Sequence, residues 1–251
     1  MPSQIGLIGV GLMGENLALN MAGKGISVSV FDASADRVEQ FVSSRGHGKG
    51  IEACHSLQAL VASIERPRKV LLMVPAGRPV DDLIESVTPW LDAGDILIDG
   101  GNSHFSDTTR RTRSLESQGF LYVGAGVSGG EEGALLGPSI MPGGSAAAWA
   151  SVKPIFQAIA AKVDDGVPCC DWVGAEGAGH FVKMVHNGIE YGDMQLICEV
   201  YDVMRTLLGM TAEDMHAAFA EWSEGELSSY LIEITRDRSE EHTSELQSLR
   251  H

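Results

Sequence analysis

The sequence has little positive charge and no long apolar run. Its 251 residues include 18 lysines and arginines against 34 aspartates and glutamates, so the formal net charge is −16. This imbalance argues against a general role in binding nucleic acid or membrane surfaces. No apolar run is long enough to span a bilayer, and the N-terminus lacks the charged-then-apolar pattern of a signal peptide.

Cysteine is also scarce. The four cysteines are Cys54, Cys169, Cys170 and Cys198, and their spacing matches no metal-ligand pattern, so no metal site is predicted. The adjacent pair is typical of structural thiols in a reducing compartment. We therefore expect a cytoplasmic protein.

Glycine, in contrast, is placed in a pattern with a known use. An apolar run at residues 5–10 suits a buried parallel strand, Gly9, Gly11 and Gly14 follow the spacing G-x-G-x-x-G, and residues 15–21 suit a helix. In such a motif the glycines permit a tight turn, close approach of a pyrophosphate and close helix–strand packing. The helix start attracts the phosphates. The pattern predicts a dinucleotide site, with a plain glycine-rich connector or a methyltransferase-like loop as alternatives.

An acid follows at the expected distance. A second strand, residues 27–31, ends at Asp32, 18 residues after Gly14, close to the separation of about 20 found in dinucleotide-binding folds. A carboxylate here can accept hydrogen bonds from a ribose 2′-hydroxyl and would repel a 2′-phosphate. The alternative is a solvated loop acid.

The chain continues as alternating elements. Helices are predicted at residues 37–43, 55–63, 80–91 and 106–117, and strands at 70–74, 96–98 and 121–123. Residues 139–144 and 162–173 are expected to add strands around a helix at 146–160. This alternation predicts an α/β fold with a doubly wound, Rossmann-type parallel sheet, followed by the start of an all-helical domain.

Ligands of such sheets lie beyond the carboxyl ends of the strands, where loops are predicted at residues 75–77, 99–103 and 124–133. The predicted cofactor-binding residues are Gly9, Val10, Gly11, Leu12, Met13, Gly14, Asp32, Ala33, Ser34, Val74, Pro75, Ala76 and Asn102. In the third loop, Ser128, Gly129 and Gly130 offer a hydroxyl and free backbone N–H groups, which suit a carboxylate or phosphate. A flexible surface loop would have a similar composition.

After a glycine-rich boundary at residues 174–179, residues 180–208 read as one long helix. A polar stripe occupies one face, and an apolar stripe with Phe181, Val185 and Ile189 the other. The polar stripe comprises Lys183, His186, Asn187, Glu190 and Tyr191. A solvated helix face would have the same spacing, but histidine, asparagine and tyrosine beside one lysine and one glutamate favour a site.

Three stretches together resemble a known family. Residues 99–103 (DGGNS), 127–134 (VSGGEEGA) and 179–192 (GHFVKMVHNGIEYG) are similar to the 6-phosphogluconate dehydrogenases, the decarboxylating enzymes of the pentose phosphate pathway. The resemblance implies oxidative decarboxylation of 6-phospho-D-gluconate to D-ribulose 5-phosphate and CO2, with reduction of NAD or NADP. It also implies a homodimer for the full-length family.

The resemblance assigns roles to the polar stripe and its neighbours. Lys183 would be the general base that takes the 3-hydroxyl proton, which requires a pKa near neutrality. Glu190 would be the acid that protonates C1 of the enediol. The positions that would hold the sugar acid are Asn102, Ser128, Gly129, Gly130, His186, Asn187 and Tyr191.

The chain departs from the family in two respects. The family commonly has Asn-Arg-Ser/Thr after its second strand, whereas this chain has Asp32-Ala33-Ser34, which favours NAD over NADP. The family chain is also far longer and continues into a helical domain that supplies a lysine and arginines to the substrate phosphate. We therefore expect a C-terminally truncated enzyme with little activity.

The predicted organisation has three parts. Residues 1–176 form an NAD(P)-binding Rossmann domain, residues 177–237 begin the helical C-terminal domain, and residues 238–251 resemble the translation of a sequencing-adapter oligonucleotide. Two other functions stay open. They are a non-catalytic dinucleotide-binding module and a dehydrogenase for a smaller hydroxyacid such as 3-hydroxyisobutyrate.

Overall fold

The computed structural model describes the backbone of residues 2–248 and the side chains of residues 2–239. The chain divides into two compact units, one up to Val185 and one from His186 onward. Each is described by itself.

The first unit is built on one sheet. Its strands are β1 (Ile5–Ile8), β2 (Val28–Phe31), β3 (Ile51–Ala53), β4 (Lys69–Leu72), β5 (Ile96–Asp99), β6 (Leu121–Ser128), β7 (Ser139–Gly144) and β8 (Gly174–Ala175). They lie in the order β3-β2-β1-β4-β5-β6-β7-β8, so the order reverses between β1 and β4. The predicted Rossmann-type fold is confirmed.

Helices alternate with these strands as far as β8, and further helices follow it. They are α1 (Leu12–Gly23), α2 (Ala35–Ser43), α3 (Leu57–Ser63), α4 (Arg78–Val87), α5 (Phe105–Glu116), α6 (Gly130–Leu136), α7 (Trp149–Ile159), α8 (Ala178–Thr206), α9 (Ala212–Ser223) and α10 (Tyr230–Ser248). Serine side chains cap two of them, because Ser34 accepts from the N–H of Arg37 and Ser56 from the N–H of Ala59. Within residues 2–248, no helix has the length and apolar character needed to cross a bilayer.

Both faces of the sheet are buried. On β1, Leu7 belongs to one hydrophobic cluster and Ile8 to another, and on β4 the neighbours Leu71 and Leu72 divide in the same way. Successive side chains of a strand point to opposite faces, so helices cover the sheet on both sides. This explains why these strands read as unbroken apolar runs.

The sheet is not wholly parallel, which corrects the sequence-based expectation. Strand β7 runs antiparallel to β6, with Ser128 opposite Ser139, whereas the other pairs of neighbouring strands are parallel. Only α6 and a few flanking residues connect β6 to β7. A parallel crossover needs a dozen or more residues, so a connection this short returns the chain antiparallel.

Local assignments also differ around β6. Residues 124–128, predicted as loop, extend the strand, and α6 follows them. Glycine content suggested a loop, but both glycines lie where other residues pack closely on the strand. A Cβ on Gly124 would collide with the side chains of Thr108 and His180, and one on Gly126 with the side chain of Lys183. The predicted strands in residues 162–173 reduce to isolated bridges, Lys162 with Pro168 and Cys170 with Ile140.

The second unit is helical. It contains the later part of α8 together with α9 and α10, and its core includes Met204, Met215, Phe219 and Ile232. A capping box, in which Thr211 and Asp214 exchange hydrogen bonds, starts α9. Residues 238–251, which resemble the translation of a sequencing adapter, begin within α10. Residues 249–251 lie outside the described residues, and the origin of the segment stays a prediction.

Candidate active site

The glycine turn after β1 has the geometry that its motif implies. A Cβ atom on Gly9 would collide with the carbonyl oxygen of Met73, and one on Gly14 would collide with the carbonyl oxygen of Gly9. Gly11, in contrast, faces open space and precedes α1 without a side-chain cap. The start of α1 is therefore open at Gly11, as the predicted pyrophosphate site requires.

Asp32 connects the end of β2 to this turn. Its Oδ2 accepts a hydrogen bond from the backbone N–H of Val10 at 2.8 Å, and its Oδ1 accepts one from the N–H of Ser34 at 2.9 Å. The guanidinium of Arg37 lies 3.5 Å from Oδ2. The carboxylate of Asp32 thus holds the glycine turn in place.

The structure brings three predicted cofactor segments into one groove of about 530 Å³. Gly9 and Gly11 line it from the first turn, Asp32 and Ala33 from the end of β2, and Val74 and Pro75 from the end of β4. Arg37 also lines this groove and a neighbouring one of about 470 Å³, to which Val10 and Leu12 contribute. The helix start predicted to bind the phosphates and the acid predicted to bind the ribose thus face the same space, as binding of an extended dinucleotide requires.

The remaining predicted cofactor residues are not among those that line these two grooves. Met13 is half-buried against the core, Ser34 caps α2, and Ala76 is exposed in the turn before α4. Asn102 is exposed in the turn after β5. Their contact with a cofactor stays a prediction.

A buried aspartate shapes the turn that carries Asn102. Asp99 is fully buried at the end of β5. Its Oδ1 accepts from the N–H of Gly101 at 3.1 Å, and its Oδ2 accepts from the hydroxyls of Ser103 at 2.6 Å and Tyr122 at 3.0 Å. Burial, and then the charge of Asp99, raise the pKa of Tyr122 well above its ordinary value. Tyr122 therefore stays a neutral donor to Asp99.

Glycine contacts dock the start of α8 on the sheet. A Cβ on Gly179 would collide with backbone atoms of Gly124, Met141 and Gly143, and one on Gly126 would collide with the Cβ of Lys183. Lys183 is 8% exposed. Three residues earlier, His180 is buried, and its Nδ1 lies 2.6 Å from the hydroxyl of Thr108 on α5. The Gly124-x-Gly126 and Gly177-x-Gly179 pairs were a sequence signal for this close packing.

The glycine segment after β6 is held by the helix of the nucleotide turn. Gly129 and Gly130 have φ angles of +129° and +62°, which side chains rarely adopt. The side-chain amide of Asn16 on α1 donates to the carbonyl of Glu131 at 2.8 Å, and that of Asn20 donates to the carbonyl of Ala134 at 3.2 Å. Because α1 also carries the nucleotide turn, the two predicted ligand segments share one support.

In the second unit, α8 continues with the rest of the polar stripe. The Nδ1 of His186 lies 3.7 Å from a carboxylate oxygen of Glu190 and 3.3 Å from the amide oxygen of Asn187. The side chains of His186 and Glu190 are about 40% exposed, and Tyr191 is exposed. These groups are accessible for hydrogen bonding, whereas Lys183 in the first unit is buried.

The family comparisons cover nearly the whole chain. Residues 4–174 match the NAD binding domain of 6-phosphogluconate dehydrogenase, and residues 179–249 match the C-terminal domain of 6-phosphogluconate dehydrogenase. The chain is 58% identical over 235 residues to the decarboxylating 6-phosphogluconate dehydrogenase of Treponema pallidum and 56% identical over 233 residues to that of Homo sapiens. These alignments cover 94% and 93% of this chain but 48% of each relative.

Solved structures agree with this assignment. The Plasmodium falciparum 6-phosphogluconate dehydrogenase, described as apo, with its cofactor NADP+ and with its substrate 6-phosphogluconate, matches with a TM-score of 0.89 and 40% identity, over 93% of this chain and 50% of that chain. The 3-hydroxyisobutyrate dehydrogenase of Mycobacterium tuberculosis matches with a TM-score of 0.73 at 24% identity, over 92% of this chain and 73% of that one, which shows a shared fold alone.

The resemblance inferred from three short stretches is thus confirmed along most of the chain, and the nucleotide groove belongs to an NAD(P)-binding domain. The chain spans about half the length of the curated relatives it matches. This chain belongs to the 6-phosphogluconate dehydrogenase family.

Proposed function

We propose that the chain carries the cofactor site and the first part of the active site of a decarboxylating 6-phosphogluconate dehydrogenase. The reaction is the oxidation of 6-phospho-D-gluconate by NAD(P)+ to D-ribulose 5-phosphate and CO2. The observation that carries the proposal is the docking of Lys183. It is buried on the helix that follows the nucleotide-binding domain, at contact distance from Gly126 of β6.

Lys183 acts as the general base. Its amine takes the proton of the C3 hydroxyl as the C3 hydride departs, and bound NAD(P)+ supplies the hydride acceptor. A lysine can accept this proton only in its neutral form, and burial disfavours the charged form of an amine. In the next step, protonated Lys183 polarises the new C3 carbonyl while the bond from C1 to C2 breaks and CO2 leaves.

Glu190 acts as the acid that returns a proton to C1 of the enediol, the carbon that was C2 of the gluconate, and this completes ribulose 5-phosphate. It follows Lys183 by seven residues of α8, a rise of about 10 Å along a helix axis. The sugar acid is held by Asn102, Ser128, Gly129, Gly130, His186, Asn187 and Tyr191. Amides, hydroxyls and free backbone N–H groups are donors and acceptors that match a polyhydroxy carboxylate.

The proposed assembly is a homodimer in the cytoplasm. Large apolar side chains of α8, including Ile189, Leu196 and Val200, are exposed, and exposed apolar surface of this kind favours association. The chain spans about half the length of the relatives it matches. We therefore expect it to bind a dinucleotide and to turn over 6-phosphogluconate poorly.

The test compares two proteins. The 251-residue chain and a version extended with the genomic sequence downstream of codon 237 are each given 6-phosphogluconate with NAD+ or NADP+. Formation of reduced nicotinamide and of CO2 is followed. Turnover by the extended protein supports the proposal. Turnover of 3-hydroxyisobutyrate in its place, or of neither acid despite cofactor binding, would support a smaller-hydroxyacid dehydrogenase or a non-catalytic module instead.

A further inference from the structure

Arg111 on α5 is a buried cation that belongs to none of the predicted cofactor or substrate positions. Its side chain is 2% exposed. Arginine is rarely buried to this extent unless it is paired and its donors are satisfied. Its contacts therefore indicate what the buried charge is used for.

One side of the Arg111 guanidinium holds the segment after β4. Its Nε and Nη2 donate to the two carboxylate oxygens of Asp81, at 2.9 and 3.0 Å. Nη2 also donates to the backbone carbonyl of Gly77 at 2.9 Å. Asp81 lies in the first turn of α4, so these contacts fix the turn at residues 75–77 and the helix that follows it.

The other side holds the segment after β5. Nη1 lies 3.3 Å from the hydroxyl of Ser103 and 3.5 Å from Oδ2 of Asp99. These two residues bound the turn that carries Asn102. A single planar group thus contacts both turns, one carrying Pro75 and Ala76 and the other Asn102.

Arginine is specifically suited to this position. Burial opposes its charge, but the hydrogen bonds to Asp81 and the nearby charges raise the pKa of Arg111 above its ordinary value. The same pairing lowers the pKa of Asp81. Lysine carries the same charge on one atom and lacks the rigid fork of five donors, so it cannot reach Asp81, Gly77 and Ser103 together.

The two turns lie on one side of the sheet's switch point. In a Rossmann fold the first turn takes the pyrophosphate and the acid after β2 takes the adenosine ribose. The turns after β4 and β5 lie beyond β1 on the other side. The turn after β4 also lines the groove that contains Asp32, at Val74 and Pro75. Of the two turns it is therefore the one after β5, with Asn102, that lies next to the half of the cofactor that carries the nicotinamide.

We infer that Arg111 is a positioning residue that holds the turn with Asn102 at a fixed spacing from the turn after β4 and thereby orders the nicotinamide half of the cofactor site. The inference rests on the proposed dinucleotide binding. It assigns Arg111 no contact with the cofactor. Its loss should affect the nicotinamide half of the ligand and spare the adenosine half.

The experiment measures binding of NAD+ and of ADP-ribose, which lacks the nicotinamide, to the 251-residue chain by titration calorimetry. We expect Arg111→Lys to lower the affinity for NAD+ by about tenfold, the size of one lost hydrogen bond to a charged group. The affinity for ADP-ribose should be nearly unchanged. Equal losses for both ligands, or no loss for either, would overturn the inference. If wild type bound neither ligand, the proposed function would fail as well.

Two further variants complete the design. Arg110→Lys is the matched control, because the neighbouring Arg110 also contacts Asp81 but is 55% exposed, and it should change neither affinity. If Arg111→Lys shows no cooperative thermal unfolding transition and is therefore not folded, the Asp81→Asn variant is used to test the inference. It keeps Arg111 and its buried partner Asp99 but weakens the fork, and it should give the same selective loss of NAD+.

Discussion

Gly126 and Lys183 pack so closely that a Cβ atom on residue 126 would collide with the Cβ atom of Lys183. The proposed base is therefore located by a strand backbone, which is stiffer than a side chain. Any side chain at position 126 must move either β6 or α8.

We accordingly predict that Gly126→Ala destabilises the chain and displaces Lys183. Overpacking of this kind costs about 1–3 kcal/mol, measurable by urea unfolding. Gly23→Ala is the control, since Gly23 lies in α1 with no atom near its missing Cβ, and it should be neutral or stabilising by up to about 1 kcal/mol. Equal stability of Gly126→Ala and wild type would contradict the packing argument.

Loss of the proposed base should abolish hydride transfer. In the extended protein, Lys183→Met should lower the rate of nicotinamide reduction by about 10²–10⁴-fold, the usual contribution of a general base, while NAD(P)+ still binds. Glu190→Gln should slow the overall reaction with cofactor binding intact. Lys49→Met, at an exposed lysine, controls for the charge change. The base assignment is wrong if Lys183→Met retains more than about a tenth of the wild-type rate.

The end of β2 predicts a preference for NAD over NADP. A 2′-phosphate would meet the carboxylate of Asp32, whereas a 2′-hydroxyl gains a charged acceptor worth about 10–100-fold in affinity. Titration of both cofactors into the 251-residue chain checks this. Asp32→Asn combined with Ala33→Arg should reverse the preference. Equal or tighter binding of NADP by the wild type would contradict the prediction, and Arg37, 3.5 Å from Asp32, would then be the residue that holds the 2′-phosphate.

His180 should make the stability of the chain depend on pH. Burial lowers the pKa of its imidazole below the ordinary value of 6.5, with the charge of Asp99 opposing this and that of Arg111 adding to it. Below pH 6.5 the imidazole of the unfolded chain binds a proton that the folded chain resists. The contribution of His180 to the free energy of unfolding is therefore fully present above this pH, and it is lost as the pH decreases toward the folded-state pKa.

The slope from this one group is at most about 1.4 kcal/mol per pH unit. Urea unfolding between neutral and mildly acidic pH should show a smaller decline for His180→Gln than for wild type. His47→Gln, at an exposed histidine, should follow wild type. Identical pH profiles for wild type and His180→Gln would show that His180 is not the group responsible.

Local signals in the sequence predicted much of the fold. The glycine turn, the acid at position 32 and the long helix of α8 each depend on neighbouring residues, and each was found close to its predicted bounds. Strand β3 was missed because three residues, only one of them strongly apolar, give no period. The glycines of β6 indicated a loop because glycine content alone does not distinguish a loop from a strand on which a helix of the folded chain packs closely.

The same reason limits what could be predicted about the site. Arg111 lies in a helix that reads as polar and exposed, and only the folded chain brings Asp81, Gly77 and Asp99 around it. Asp99 itself stood in a recognisable stretch, but its bond to Tyr122 crosses 23 residues. Buried polar networks of this kind depend on tertiary contacts and have no sequence period.

The antiparallel return of β7 has a consequence for the order of folding. Gly179 at the start of α8 packs against backbone atoms of both β6 and β7, at Gly124, Met141 and Gly143, so neither strand alone provides its binding surface. Pairing of β6 with β7 joins nearby parts of the chain and closes a short loop, which is entropically cheap. We therefore expect Lys183 to reach its final position only after these strands have paired. Pulse-labelled amide exchange during refolding should protect β6 before the first turns of α8.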